Sequence, residues 1–441
     1  MHQPSPEDEK LAAEISEWAV ERLAYRSDTI PPRAGEGELP GITAAGVGIA
    51  EAWRILRDRI LPTALPADHP RYLAFVGGSP TVASVLADMA VSAAGVYAGS
   101  ALEGGLAVAA EAAALRWLAD LAGFPAEARG TFVSGGSIAN LSALVAGRNE
   151  RRAAGGRRPG LVVAGIDAHA SIASAAEIMG CDLVIDGDSD GRLDGAALGR
   201  VLKTVRPQEI AAVVATAGAT NNGAIEDLAG VAEVCRQHDL WLHVDAAYGG
   251  AALLSDRARP LFAGIEAADS VTIDPHKWLF TPFDCAAVIY RHPERARRAH
   301  TQVASYLEPT SGDEYDNPSD YAIHLTRRAR GIPLWLSLLA NGTAAYRDAV
   351  DACLDLAEYA AARITAAADL ELVAEPGLSI VLFRRTGWSP AHYRQWSTEA
   401  IASGLGLITP TEMHGETVLR LCFVNPITSN ADVDRILGAL A

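Results

Sequence analysis

Trp241-Leu242-His243-Val244-Asp245-Ala246-Ala247-Tyr248-Gly249-Gly250 is an apolar run that ends in one carboxylate and then in small residues. The spacing predicts a buried strand over Leu240–Val244 that delivers Asp245 to its carboxyl end. Open α/β sheets bind ligands at that end of their strands, so a lone carboxylate there is placed to meet a ligand cation. The next apolar run, Ser270–Ile273, is followed by Asp274-Pro275-His276-Lys277-Trp278. A lysine between a Pro-His pair and a tryptophan is poorly placed for a solvated surface, although a lysine snorkelling from a core edge leaves the same local pattern.

Outward from these two runs, short β-branched stretches alternate with Ala- and Leu-rich helical stretches, the pattern of a mostly parallel α/β sheet. The strands expected are Gly130–Val133, Leu161–Ala164, Leu183–Ile185, Ile210–Ala215, Leu240–Val244, Ser270–Ile273 and Ala286–Tyr290, seven in one sheet. Ahead of them, Leu11, Ile15, Trp18, Ala19 and Leu23 recur at helical spacing, and a turn-rich stretch follows at Pro31, Pro32, Gly35 and Pro40. Behind them comes a long helical stretch, Pro333 to about Ala368. Strand-like runs at Leu370–Ala374, Leu378–Phe383 and Val418–Val424 and a closing helix from Asn430 to Leu440 complete the chain. The expected organisation is a helical arm over 1–61, a large α/β domain over 62–345 and a small α+β domain over 346–441.

Composition bounds the function. A chain of 441 residues with 49% hydrophobic and 21% charged residues has ample material for a large core. Its 37 Lys and Arg against 54 Asp and Glu leave a formal charge of −17, which disfavours a nucleic-acid partner. The five cysteines, Cys181, Cys235, Cys285, Cys353 and Cys422, contain no Cys-x-x-Cys pair, so neither a disulfide framework nor a metal site is expected and a reducing cytoplasm fits. The polar, acidic start shows no secretory signal. The most apolar stretch, Val82–Leu118, is interrupted by Asp88, Glu103, Glu111 and Arg116, and so predicts buried helices and no membrane partner.

Two further motifs follow strands of the same series. Phe132-Val133-Ser134-Gly135-Gly136-Ser137-Ile138-Ala139-Asn140-Leu141 runs from a strand through a glycine turn into a helix, whose first amides and Ser137 would favour a phosphate. Most Gly-Gly-Ser turns are only turns. Ile166-Asp167-Ala168-His169-Ala170-Ser171 sets an imidazole shortly after another strand, where a single histidine is more often structural than catalytic. Together, in chain order, the four motifs supply a phosphate cradle, an imidazole, a carboxylate and a lysine.

These motifs resemble the group II pyridoxal-phosphate-dependent amino acid decarboxylases, the aromatic-amino-acid and glutamate decarboxylase type. The likeness is dense over 69–291 and returns at Leu325–Gly342 and Leu419–Thr428. It implies the type I fold of pyridoxal-phosphate enzymes and a homodimer with its active site at the interface, wrapped by the N-terminal arm. Carried over position by position, it makes Lys277 the lysine that holds the cofactor aldehyde, a covalent anchor in place of a salt-bridge residue. Asp245 becomes the partner of the pyridine nitrogen, and His169 the imidazole stacked on the ring. Gly136 and Ser137 fall on the phosphate loop, Thr220 and Ala247 line the ring, and Asp274 and His276 complete the cofactor contacts. Tyr315, in the polar segment Ser311–Asp320, is implied as the acid that protonates the product carbon, with Tyr321 the alternative.

The implied reaction is decarboxylation of an L-amino acid, aromatic by preference, to amine and CO2 through a Lys277 aldimine and a quinonoid. The alternatives are a decarboxylating aldehyde synthase, another lyase or aminotransferase on the same fold, or a protein that holds the cofactor without turnover. Two departures bear on the substrate side. Gly99 to Ala110 is Gly/Ala-rich where the family carries aromatic residues, keeping Glu111 and Trp117 just beyond, and Gly218-Ala219-Thr220 stands where Gly-Thr-Thr is more usual.

Overall fold

The computed structural model describes residues 5–24, 30, 38–155, 160–310 and 316–440. Its centre is a seven-stranded sheet of β1 (Arg129–Val133), β2 (Leu161–Ala164), β3 (Asp182–Ile185), β4 (Ile210–Thr216), β5 (Leu242–Asp245), β6 (Ser270–Ile273) and β7 (Ala286–Tyr290). The spatial order is β1-β7-β6-β5-β4-β2-β3, with β7 antiparallel to both neighbours and the other pairs parallel. β4, Ile-Ala-Ala-Val-Val-Ala-Thr, is buried along its whole length, which is why it reads as an unbroken apolar run.

Strand side chains alternate between two layers. Val163, Val213, Ala287 and Ile289 join the core on one face, whereas Val162, Val214, Val288 and Tyr290 join that on the other. The second layer holds Leu144 of helix Gly136–Ala153 and Ile172 of helix Ala170–Met179. Every parallel strand therefore delivers its carboxyl end, and the loop after it, to one edge of the sheet.

A second, antiparallel sheet comprises β8 (Leu370–Leu372), β9 (Ile380–Arg385), β10 (Thr409–Met413) and β11 (Glu416–Cys422), in the order β10-β11-β9-β8. Its Val381, Phe383, Leu419 and Leu421 belong to the same core cluster as the large sheet's Val213 and Val244. The helical stretch Ile332–Ala366 links the two sheets and is broken at Gly342, where φ is 75°.

At the other end, helix Pro6–Ala24 buries only Leu11. Arg22 makes a bidentate contact with Asp68 at 2.8 and 2.7 Å, and Trp18 packs edge-on against Trp53 at 5.5 Å.

The expectation of buried helices over Val82–Leu118 needs correction. The stretch does form helices, Val82–Ala94, Ala101–Gly104 and Leu106–Leu121, but Val82, Leu86 and Met89 form one exposed apolar stripe and Leu102 and Leu106 are exposed as well. Apolar content marks a face that wants covering and does not tell whether the cover belongs to the same chain. The inner end of the stretch is fixed by a buried ion pair: Glu111 accepts from Arg327 at 2.6 and 2.8 Å and from the Gly331 amide at 2.6 Å. Among the described residues no helix is long and apolar enough to cross a membrane.

Candidate active site

The carboxyl edge of the large sheet opens into a cavity of about 340 Å³. Gly136, Ser137, His169, Thr220, Asp245, Ala247, Asp274, His276 and Lys277 all line it. Tyr315 lies outside the described residues. Tyr321 is not in this cavity. It is buried, its hydroxyl donates to Asp316, and it lines a separate cavity with Glu111 and Arg327.

Asp245 is the last residue of β5 and is almost fully buried. Its Oδ2 accepts from Asn140 Nδ2 at 2.8 Å and its Oδ1 from the Ala247 amide at 3.1 Å. His169 caps helix Ala170–Met179, and its Nδ1 accepts from the Ser171 amide at 3.2 Å and faces the Ser171 hydroxyl at 2.9 Å. Nε2 is then the ring's remaining polar atom.

Lys277 follows β6, and Nζ lies 3.2 Å from Asp274 Oδ2. The neighbouring carboxylate is thus within ion-pair distance of the strand-end ammonium. Asp274 Oδ2 also accepts from the Gly136 amide at 3.2 Å. A Cβ at Gly136 would sit 2.8 Å from that oxygen, so glycine is what lets the turn approach. The lysine's backbone is crowded in turn: a Cβ at Gly78 would lie 1.9 Å from the Lys277 carbonyl oxygen.

His276 Nδ1 accepts from the Cys285 amide at 3.0 Å, which leaves the proton on Nε2 when the ring is neutral. Burial holds its pKa below the ordinary histidine value, with Lys277 acting in the same direction and Asp274 against it.

Thr220 is held from the small sheet. Arg420 of β11 donates to the carbonyls of Thr220 at 2.6 Å, Asn221 at 3.2 Å and Phe75 at 2.8 Å. Phe75 has a φ of 56°, unusual for a bulky residue, and is 62% exposed. Phe283, 60% exposed, lines the cavity and packs its ring 5.4 Å from that of His276. Two buried oxygens of the cavity wall, Thr216 Oγ1 and Asp274 Oδ1, have no partner within the described residues.

Sequence reasoning did not single out Asn140, Thr216, Phe283 or Asp284, all of which line the cavity. Asn140 lies within the Phe132–Leu141 motif, and a polar residue between Ala139 and Leu141 on a buried helix face is the available signal. Asp284 is paired with Arg330 at 3.0 Å.

A family model described as the pyridoxal-dependent decarboxylase conserved domain matches residues 54–386. The chain is 33% identical over 388 residues to an aromatic-L-amino-acid decarboxylase of Bacillus atrophaeus, a match covering 84% of this chain and 80% of that protein. It is 32% identical over 421 residues to an L-2,4-diaminobutyrate decarboxylase of Rhizobium meliloti, covering 91% and 83%. Mouse cysteine sulfinic acid decarboxylase is 31% identical over 341 residues, covering 70% and 69%. Among solved structures, Catharanthus roseus tryptophan decarboxylase in complex with L-tryptophan superposes with a TM-score of 0.87 at 20% identity, covering all of this chain and 98% of that one. Rhodiola rosea 4-hydroxyphenylacetaldehyde synthase does so with 0.85 at 20% identity, covering 98% and 96%. At these identities the superpositions show the shared fold.

Proposed function

The chain belongs to the pyridoxal-dependent decarboxylase family, and from that premise we propose that it decarboxylates an aromatic L-amino acid at the Lys277 cavity, with Lys277 and Asp245 as its principal groups. It is a pyridoxal-phosphate-dependent amino acid carboxy-lyase with the type I fold of such enzymes. When bound, pyridoxal phosphate supplies the conjugated electron sink that accepts the charge left on Cα as CO2 departs.

The cavity residues fit that group. Gly136 and Ser137 open an 18-residue helix whose amino end favours a phosphate, and His276 Nε2 adds a donor beside it. Asp245, oriented by two donors, offers a fixed negative charge to a protonated ring nitrogen. His169 supplies a ring face and Nε2 towards the substrate carboxylate. Thr216 Oγ1, buried and unpartnered, is a hydroxyl with a bond still to make. Lys277 has to part from Asp274 and lose a proton before its nitrogen can attack a carbonyl, a step that exclusion of water favours.

What supports the aromatic reading is the charge of the wall. Among the described residues lining the cavity, Lys277 is the one Lys or Arg, against Asp245, Asp274 and Asp284. The segment Ser311-Gly312-Asp313-Glu314-Tyr315 adds no cation by composition. A side-chain carboxylate or sulfinate would enter without a partner, whereas the exposed ring of Phe283 on the cavity wall suits a flat apolar side chain. The acidic wall also admits a cationic side chain, which makes L-2,4-diaminobutyrate the second reading.

The purified protein, loaded with pyridoxal phosphate, should be assayed on tryptophan, tyrosine, phenylalanine, diaminobutyrate, glutamate and cysteine sulfinate. The best aromatic substrate should exceed both acidic ones in kcat/KM by at least about 10²-fold, the scale of stranding a charge without its partner. Preference for an acidic substrate would overturn the reading, and preference for diaminobutyrate would replace it with the second. Aldehyde, ammonia and peroxide in place of amine would assign an aldehyde synthase.

The same reading carries a homodimer, supported by the exposed apolar stripe of Val82, Leu86 and Met89. Sedimentation equilibrium should return twice the chain mass, and a monomer at micromolar concentration would contradict it. The buried thiols of all five cysteines support a cytoplasmic setting.

A further inference from the structure

We propose that Asn140 is the positioning residue of this site, a buried amide that aims the Asp245 carboxylate and, through Ser171, the His169 imidazole, with its own orientation set by a hydrogen-bond relay from Trp241. The proposal rests on the reading of Asp245 as the partner of the cofactor ring nitrogen.

The relay has one self-consistent direction. Trp241 Nε1 can only donate, and it lies 3.1 Å from Ser270 Oγ. Ser270 therefore accepts there and has its own proton for His243 Nδ1, 2.9 Å away. With Nδ1 accepting, neutral His243 carries its proton on Nε2, which donates to Asn140 Oδ1 at 3.0 Å. The amide nitrogen of Asn140 must then face the other way, where it donates to Asp245 Oδ2 at 2.8 Å and to Ser171 Oγ at 3.0 Å. Ser171, having accepted, turns its proton to His169 Nδ1 at 2.9 Å.

Reversing any member brings two acceptors or two donors face to face within hydrogen-bonding distance. Asn140, His243 and Ser270 are fully buried, so water cannot substitute for a lost partner. Burial also pushes the His243 pKa down to about 4 against the pull of Asp245, so the ring stays neutral and its tautomer is set by its partners. The relay begins at the amino end of β5, the end away from the cavity, runs along one face of the strand through His243, and ends on its two cofactor-facing groups. A residue outside the cavity, His243, thus governs the geometry inside it.

Asn140→Leu removes both donors at nearly constant volume, and His243→Leu removes the group that orients them. Each variant of the full chain should bind pyridoxal phosphate about ten- to a hundredfold more weakly when the apo protein is titrated, the scale of a hydrogen bond to a charged group. The visible circular dichroism of the bound cofactor should fall with it, because ring orientation is what the carboxylate sets. His243→Gln, whose amide nitrogen can stand where Nε2 stands, should recover most of the affinity and the dichroism. A merely structural role would make His243→Gln as damaging as His243→Leu, and that result would overturn the proposal.

Should a leucine variant not fold, ring-nitrogen NMR of the unaltered protein decides. A protonated Nε2 and a bare Nδ1 on His243 from pH 6 to 8 are expected, and the opposite tautomer would refute the relay. Loss of cofactor affinity in Asp245→Ala with none in Asn140→Leu and His243→Leu would sink the relay alone. Normal affinity in Asp245→Ala would sink the reading of Asp245 instead.

Discussion

Lys277→Ala should abolish amine formation, lowering kcat by on the order of 10³–10⁴-fold, near the upper end of what one positioned proton-transferring group contributes. The structure gives this variant a second consequence, because Asp274 is buried and loses the cation 3.2 Å away. A stability defect would be expected from that alone. Lys277→Arg separates the two effects. Its guanidinium keeps a charge beside Asp274 yet stays protonated, so it cannot form the covalent bond to the cofactor aldehyde. Stability close to the native value with no turnover is the expected pairing, read by denaturant midpoint and amine yield. If the arginine variant turned over, the lysine would be serving the ion pair alone.

Asp245→Ala should slow turnover by on the order of 10²–10³-fold. An opposite charge in contact raises the pKa of a base by roughly 1–3 units, and each unit is a factor of ten in the protonated fraction once the pKa falls below the working pH. Asp245→Asn is the sharper variant, since it keeps the volume and loses the charge. Its amide would also turn an N–H towards either Asn140 Nδ2 or the Ala247 amide, both of which donate to this side chain, at 2.8 and 3.1 Å. Cofactor affinity should weaken in both variants. Near-normal turnover by Asp245→Ala would reduce the carboxylate to a structural acceptor for Asn140 and Ala247.

The large sheet is legible in the sequence because its strands are buried on both faces or nearly so, which turns each into a short apolar run, and the glycines and polar residues after them mark the cavity edge. β10 is not legible. Pro410 interrupts it, a residue tolerated there because β10 pairs only with β11 and lies at the sheet's edge. The cavity's contact residues are legible because each sits a few positions after its strand.

The relay behind them is not. Asn140 and Asp245 are 105 residues apart, and Asn140 and His243 are 103 apart. Local periodicity carries no information on which buried polar groups meet. The exposed face of helix Val82–Ala94 fails for a related reason, since apolar spacing fixes a stripe and leaves open what covers it.

Lys10, Lys203 and Lys277 are the chain's lysines, and the first two are exposed. Borohydride reduction of the purified holoenzyme, followed by peptide mass mapping, therefore tests the central claim with a three-way answer. The pyridoxyl adduct should fall on Lys277 alone, with the visible absorbance lost in proportion to its yield. An adduct on Lys10 or Lys203, or full bleaching with Lys277 unmodified, would contradict the account.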